Sequence, residues 1–246
     1  MEIIVTKNYN ELSGVAAKMV IDQINKKKTS ILGLATGNTV LGFYKELVKA
    51  YHRKEIDFKK IKTFNLDEFV GLDDTDHASL FYFMRKNFFD KVNLNPRNVN
   101  MLDGRAKNLN VECKKFDEQI KKSKGIDLQI LGIGLNGHIG WNEPGSGFKS
   151  KTRVLNLTLS SRRAQSGNFE NLRQVPKKAM TIGMGAIMEA KKIMLMASGE
   201  NKADIVAKAL TGKVRKKVPA SILQRHPNLT VVLDEAAAAK LHKSVK

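Results

Sequence analysis

Residues 131–144 read Leu-Gly-Ile-Gly-Leu-Asn-Gly-His-Ile-Gly-Trp-Asn-Glu-Pro and place one imidazole, one carboxylate and two amides in a glycine-rich loop: His138, Glu143, Asn136 and Asn142. An imidazole titrates near neutral pH and a neighbouring carboxylate can orient it, so His138 and Glu143 have the makings of a general base and its partner. A structural turn with a capping Asn and a surface His is the competing reading. So dense a grouping of glycine, histidine and glutamate argues against it.

Two further segments carry the same kind of signal. In Leu34-Ala-Thr-Gly-Asn-Thr39, small residues let an anion approach backbone N–H groups where a helix opens, and Thr36 and Thr39 add hydroxyl donors. The segment is neither a Walker loop nor a dinucleotide fingerprint, which argues against nucleotide hydrolysis. In Phe64-Asn-Leu-Asp-Glu-Phe-Val-Gly-Leu72, Asp67 and Glu68 are adjacent carboxylates that need not point the same way. One can face a pocket as proton acceptor while the other sits in a structural hydrogen bond.

The elements that must position these loops follow from periodicity. Strands are predicted over residues 2–6, 30–35, 61–65, 127–133, 179–182, 193–197 and 229–233. Helical patterns fall between them: Leu12, Val15, Ala16, Met19, Val20 and Ile24 mark one face, and residues 39–53, 79–90, 110–122 and 201–210 mark others, with Ser79 as an N-cap. This alternation predicts a single-domain α/β fold over residues 1–246, an open, mostly parallel Rossmann-like sheet with helices on both faces. All three polar loops then follow strand ends, where open sheets bind ligands. Residues 145–153 and 160–174 are the least regular, and are read as mobile or substrate-covering segments.

Composition narrows the function classes. The chain has 246 residues, 42% of them hydrophobic, enough for a substantial core, with no run long enough to span a membrane and no signal peptide. Cys113 is the only cysteine, excludes an intrachain disulfide framework and, with the missing leader, predicts a cytoplasmic protein. The net charge of +19 is spread over short groups such as Lys26–Lys28, Lys121–Lys122 and Arg215–Lys217. No nucleic-acid motif accompanies them, so an anionic small molecule steered by a positive field is expected rather than specific nucleic acid. His52, His77, His226 and His242 show no metal-ligand spacing with His138, which favours metal-free proton transfer.

The three motifs, in this order and spacing, resemble the glucosamine-6-phosphate deaminase (glucosamine-6-phosphate isomerase) family. The similarity continues through Val175-Pro-Lys-Lys-Ala-Met-Thr-Ile-Gly183, Ser198-Gly-Glu-Asn-Lys202 and Pro219-Ala-Ser221, nearly the whole chain, and Asn136-Gly-His-Ile-Gly-Trp-Asn-Glu-Pro144 is its most specific part. The resemblance implies a hydrolase of amino-sugar (N-acetylglucosamine) catabolism that converts glucosamine 6-phosphate and water to fructose 6-phosphate and ammonia, with no organic cofactor. By position, Asp67 matches the base that removes the C2 proton, and His138 the group that opens the pyranose ring. Asn136 and Glu143 match the supports of that second step. Thr36, Gly37, Asn38 and Thr39 match the phosphate loop, and Lys202 a phosphate-contacting lysine.

There are departures. Asn136 stands where some members have Asp, so it is expected to orient His138 without a full charge. Members commonly place a phosphate-gripping Arg where this chain has Gly167 or Asn168, which makes Arg162, Arg163 and Arg173 the candidate replacements. A galactosamine-6-phosphate deaminase of the same superfamily therefore stays open as substrate alternative. Of an allosteric site found in some members, Arg153 matches but Leu155 replaces a lysine. Retention of both Asp67 and His138 weighs against a lactonase. A non-catalytic sugar-phosphate sensor would carry a DNA-binding domain, and the first strand already begins at Glu2. Family members differ in assembly, so a homo-oligomer is also left open.

Overall fold

A computed structural model describes residues 1–241; His242 lies outside the described residues. Ten strands run in chain order as β1 (Glu2–Thr6), β2 (Ile31–Leu34), β3 (Lys62–Asn65), β4 (Asp67–Phe69), β5 (Val99–Asn100), β6 (Leu128–Gly132), β7 (Arg153–Asn156), β8 (Lys178–Thr181), β9 (Ile193–Ala197) and β10 (Leu229–Asp234). The helices are α1 (Tyr9–Lys26), α2 (Leu41–His52), α3 (Leu80–Asn87), α4 (Leu109–Lys122), α5 (Leu159–Gln165), α6 (Met184–Met188), α7 (Ala203–Leu210) and α8 (Glu235–Ala238).

Seven strands form one sheet in the order β1-β10-β9-β6-β2-β3-β5, with every pairing parallel. Strands covered on both faces need apolar side chains on both, and β2, β6 and β9 have them: Leu32, Leu34, Ile130, Leu131, Leu195 and Met196 are all fully buried. From β2 the chain runs outward through β3 to β5, then returns to β6 on the other side of β2. The strand order therefore reverses between β2 and β6, the switch point at whose carboxyl ends open α/β sheets bind ligands. The loops holding Thr36–Thr39 and Asn136–Glu143 leave those two ends. At the opposite ends, buried Asp127 accepts from Lys27 (2.6 Å), Lys191 (2.8 Å) and the Ile31 amide (2.8 Å), which ties β2 and β6 together.

The predicted parallel α/β sheet is observed, except that the two-residue edge strand β5 is not among the predicted strands and the strand predicted over 179–182 lies outside it, and two further differences stand beside it. The first is a separate antiparallel sheet, β4-β8-β7, which pairs Asp67 with Thr181 and Arg153 with Thr181. A three-residue strand such as β4 is too short for alternation to show, so the sequence around Asp67 marks only a loop. The second is α5, inside the stretch 160–174 that lacks an apolar stripe and was expected to be irregular. Its start is fixed by the Thr158 hydroxyl, which caps the Ser161 N–H. The helix predicted over 79–90 is capped by Ser79 as expected but ends at Asn87.

Candidate active site

The loop after β2 turns through Gly37, whose φ of 102° lies in the left-handed region. Among the described residues the N–H groups of Gly37, Asn38 and Thr39 have no protein acceptor, so they point out as donors at the start of α2. Tyr9 braces this turn from α1: its hydroxyl donates to the Asn38 carbonyl (3.0 Å) and accepts from the Gly42 N–H (2.7 Å). A cleft beside it is lined by Tyr9, Asn38, Thr39, Lys45, Lys49 and Ser198, which brings the loops after β2 and β9 together. Asp234 holds the second of these loops, accepting from the Ser198 hydroxyl and the Gly199 N–H. Lys202 follows it, half-buried, with its ammonium donating to the Ile133 carbonyl at 2.7 Å, one residue before the histidine loop. Burial lowers its pKa.

The histidine loop closes on itself through the Gly134 N–H donating to the His138 carbonyl (2.9 Å). Glu143 Oε1 stands 3.5 Å from His138 Nδ1. That is an ion-pair distance rather than a hydrogen bond, and the buried nitrogen has no hydrogen-bond partner among the described residues. Free active sites often hold such contacts long and tighten them around substrate. Burial alone would raise the Glu143 carboxyl. Contacts with His138, Ser161 and Asn136 outweigh burial and hold it down at about 2. Glu143 is thus a fixed negative charge beside the ring.

Asn136 acts differently from the sequence expectation. Its amide donates to Glu143 Oε2 (2.6 Å) and its carbonyl accepts the His138 backbone N–H (3.1 Å), so it orients the carboxylate and the loop, not the imidazole directly. Asn142 is a scaffold residue, buried and donating to the Ile139 and Ile182 carbonyls.

Gly134 makes room for the ring. A Cβ there would lie 2.2 Å from His138 Cε1 and 2.3 Å from Nε2, below any real contact. Gly134→Ala should therefore fold but displace the imidazole, lowering kcat by about 100-fold, the order of loss from a misplacement near 1 Å. Steady-state rates alongside near-ultraviolet circular dichroism check this. A variant with wild-type kcat would show that the ring need not sit there.

The adjacent carboxylates of β4 divide as the sequence allowed. Glu68 is buried and accepts the backbone N–H groups of Phe69 (2.7 Å), Leu80 (3.1 Å) and Phe81 (2.9 Å), which seats the start of α3. Asp67 turns the other way, toward the histidine loop. A Cβ added to Gly140 would come 3.0 Å from Asp67 Oδ1, so the two loops touch at that glycine. Burial pushes the Asp67 carboxyl up to about 6 even though Thr181, His138 and the Trp141 N–H favour its ionised form.

Sequence reasoning missed two side chains of the site. The Thr181 hydroxyl donates to Asp67 Oδ1 at 2.5 Å, and the Ser161 hydroxyl of α5 donates to Glu143 Oε1. Arg162, a candidate phosphate ligand, instead donates to the Leu172 (2.7 Å) and Val175 (3.0 Å) carbonyls and braces the segment after α5. Gly167 and Asn168 lie exposed in the turn that follows α5. Among the described residues no group of three or more His, Cys, Asp or Glu could hold a metal ion.

The fold is a doubly wound α/β sheet whose switch point brings together a loop of free backbone N–H groups, a carboxylate with a raised pKa and a histidine–glutamate pair. The chain belongs to the family of glucosamine-6-phosphate isomerases and 6-phosphogluconolactonases, whose pattern it matches over residues 7–232. It is 48% identical to a glucosamine-6-phosphate deaminase of Thermoanaerobacter pseudethanolicus over 97% of this chain and 94% of that protein. A deaminase of Clostridium novyi is also 48% identical, over 98% of this chain and all of its own. Among solved structures, a monomeric glucosamine-6-phosphate deaminase superposes with a TM-score of 0.95 at 39% identity, covering 98% of this chain and 100% of that one. The 6-phosphogluconolactonase of Thermotoga maritima, with a TM-score of 0.75 and 18% identity over 95% of this chain and 98% of that one, shares the fold.

Proposed function

We propose that this chain is a single-domain glucosamine-6-phosphate deaminase that converts glucosamine 6-phosphate and water to fructose 6-phosphate and ammonia in amino-sugar catabolism. The observation that carries the reading is the meeting, across Gly140, of a raised carboxylate with a histidine–glutamate pair of different chemistry. The reaction needs two such carriers. His138, with ionised Glu143 behind it, moves the anomeric hydroxyl proton to the ring oxygen and opens the pyranose. Asp67 then takes the C2 proton, made acidic by the new C1 aldehyde, to give an enolamine. Reprotonation at C1 leaves an imine at C2, to which water adds before ammonia departs. The free N–H groups at Gly37, Asn38 and Thr39, the Thr36 and Thr39 hydroxyls and the Lys202 ammonium are the groups proposed to hold the phosphate. The same reading places the protein in the cytoplasm; among the described residues no helix is long and apolar enough to cross a membrane.

Ammonia release measured side by side on glucosamine 6-phosphate and galactosamine 6-phosphate tests the reading. Turnover of the gluco epimer should dominate. Faster turnover of the galacto epimer would move the substrate assignment and keep the chemistry, whereas silence on both would sink the enzyme reading.

No strong activation by N-acetylglucosamine 6-phosphate is expected. Arg153 is already engaged by Asn142 (2.8 Å), Ser150 (3.2 Å) and Ser146 (3.0 Å), and Leu155 offers no cation beside it. Velocity curves with and without that ligand should superimpose. A sigmoidal curve that it makes hyperbolic would refute this.

A further inference from the structure

We infer that Thr181 is a positioning residue for the C2 base: it locks the Asp67 carboxylate in one orientation, takes up Oδ1 and leaves Oδ2 as the oxygen that receives the proton. The inference rests on Asp67 being that base, as proposed above.

The geometry is directional. Thr181 is fully buried on β8, directly across the antiparallel pair from Asp67 on β4. Its hydroxyl oxygen accepts the Trp141 N–H at 3.1 Å, and that N–H belongs to the histidine loop. With its acceptor side so occupied, the hydroxyl proton is directed at Asp67 Oδ1, 2.5 Å away. No side chain among the described residues donates to Asp67 Oδ2. A carboxylate with one oxygen fixed by a buried donor has lost its rotational freedom, so its other oxygen presents a lone pair in one direction.

The arrangement also joins the two proton carriers. Trp141 lies three residues past His138, so the Trp141–Thr181–Asp67 chain sets the base in register with the ring-opening loop. Gly140 seals the join, since a Cβ there would meet Thr181 Oγ1 at 2.9 Å and Asp67 Oδ1 at 3.0 Å. The titratable groups facing Asp67 are His138, whose contribution favours its ionised form, and Glu68 beside it in β4. Thr181 and the Trp141 N–H are the neutral donors that stabilise the same form without charge, and Thr181 is the stronger.

Thr181→Val keeps the shape and removes the donor. The expected result is a kcat lower by about 10- to 100-fold, as for loss of an orienting hydrogen bond to a catalytic group. KM should stay within about twofold, because the proposed phosphate ligands lie on other loops. Two further readouts separate positioning from support of the fold. The acidic limb of kcat/KM should move to higher pH, and the primary isotope effect with C2-deuterated substrate should grow. Thr181→Ser, which restores the hydroxyl, should return rate, pH limb and isotope effect toward wild type. Should the buried valine prevent folding, Thr181→Ala provides the same comparison with room for a water molecule. Wild-type kcat and an unmoved limb in the folded Val or Ala variant would overturn the inference, and so would a Ser variant as impaired as they are. Failure of the functional reading looks different: wild-type enzyme would then release no ammonia, or Asp67→Asn would stay active.

Discussion

Asp67→Asn should lower ammonia release by about three to four orders of magnitude, the upper range for loss of a general base, while the protein melts no earlier than wild type at neutral pH. The two halves of this result share one cause. The half-buried Asp67 packs against the histidine loop, and desolvation there pushes its carboxyl up to about 6. A raised carboxyl is harder to ionise in the folded chain than in the unfolded one. Its ionisation therefore subtracts from stability as pH rises above the ordinary aspartate value, with the full penalty reached above about pH 6. The amide of Asn can still accept the Thr181 hydroxyl but carries no charge to desolvate, so the variant escapes that penalty. It also cannot take a proton. The same shift fixes the pH profile of the wild type: kcat/KM should fall about tenfold per unit below roughly pH 6, because the free enzyme must hold Asp67 ionised. An acidic limb below pH 5, or an Asn variant with even a hundredth of the wild-type rate, would remove Asp67 from the role of base.

How far this site could be read from sequence depends on the distance over which each contact acts. The alternation of apolar runs with helical faces was enough for the parallel sheet, and three polar loops at strand ends were enough for the crevice. Glu68 against Asp67 was legible as a division of labour, since neighbours in an extended segment point apart. Thr181 was not legible. It is one threonine in Ala-Met-Thr-Ile, and its role arises from a cross-strand register with a residue 114 positions earlier. Ser161 was hidden for a related reason: α5 has no apolar periodicity, and its inward contact is a single hydroxyl. Arg162 misled in the other direction. A cation near the missing arginine suggests a phosphate ligand, but two backbone carbonyls already claim its guanidinium. Glycine density marked the histidine loop as special without saying why, and the reason is steric. Gly134 yields its side-chain space to the His138 ring, and Gly140 yields its own to Asp67 and Thr181.

His138→Gln should be the second most damaging change, with kcat down by about 100- to 1,000-fold, and it should fail in a different way from Asp67→Asn. Glutamine can hydrogen-bond beside Glu143 but cannot carry a proton from the anomeric hydroxyl to the ring oxygen near neutral pH. The enzyme must then wait for the sugar to open unaided, and the C2 proton is taken quickly once it has. With ring opening slow, C2–H cleavage no longer limits the rate, so the primary isotope effect with C2-deuterated substrate should collapse toward unity. The residual activity of Asp67→Asn should show a large effect instead. Glu143→Gln provides the graded case: it leaves the imidazole in place and removes the negative charge 3.5 Å from Nδ1, so the ring should lose its charged neighbour but keep its proton-carrying nitrogens, and kcat should fall less than for His138→Gln. The variants thus order the site by step. A His138→Gln enzyme that kept a full isotope effect would place His138 at the C2 proton transfer itself, and the division between ring opening and enolisation would have to be redrawn.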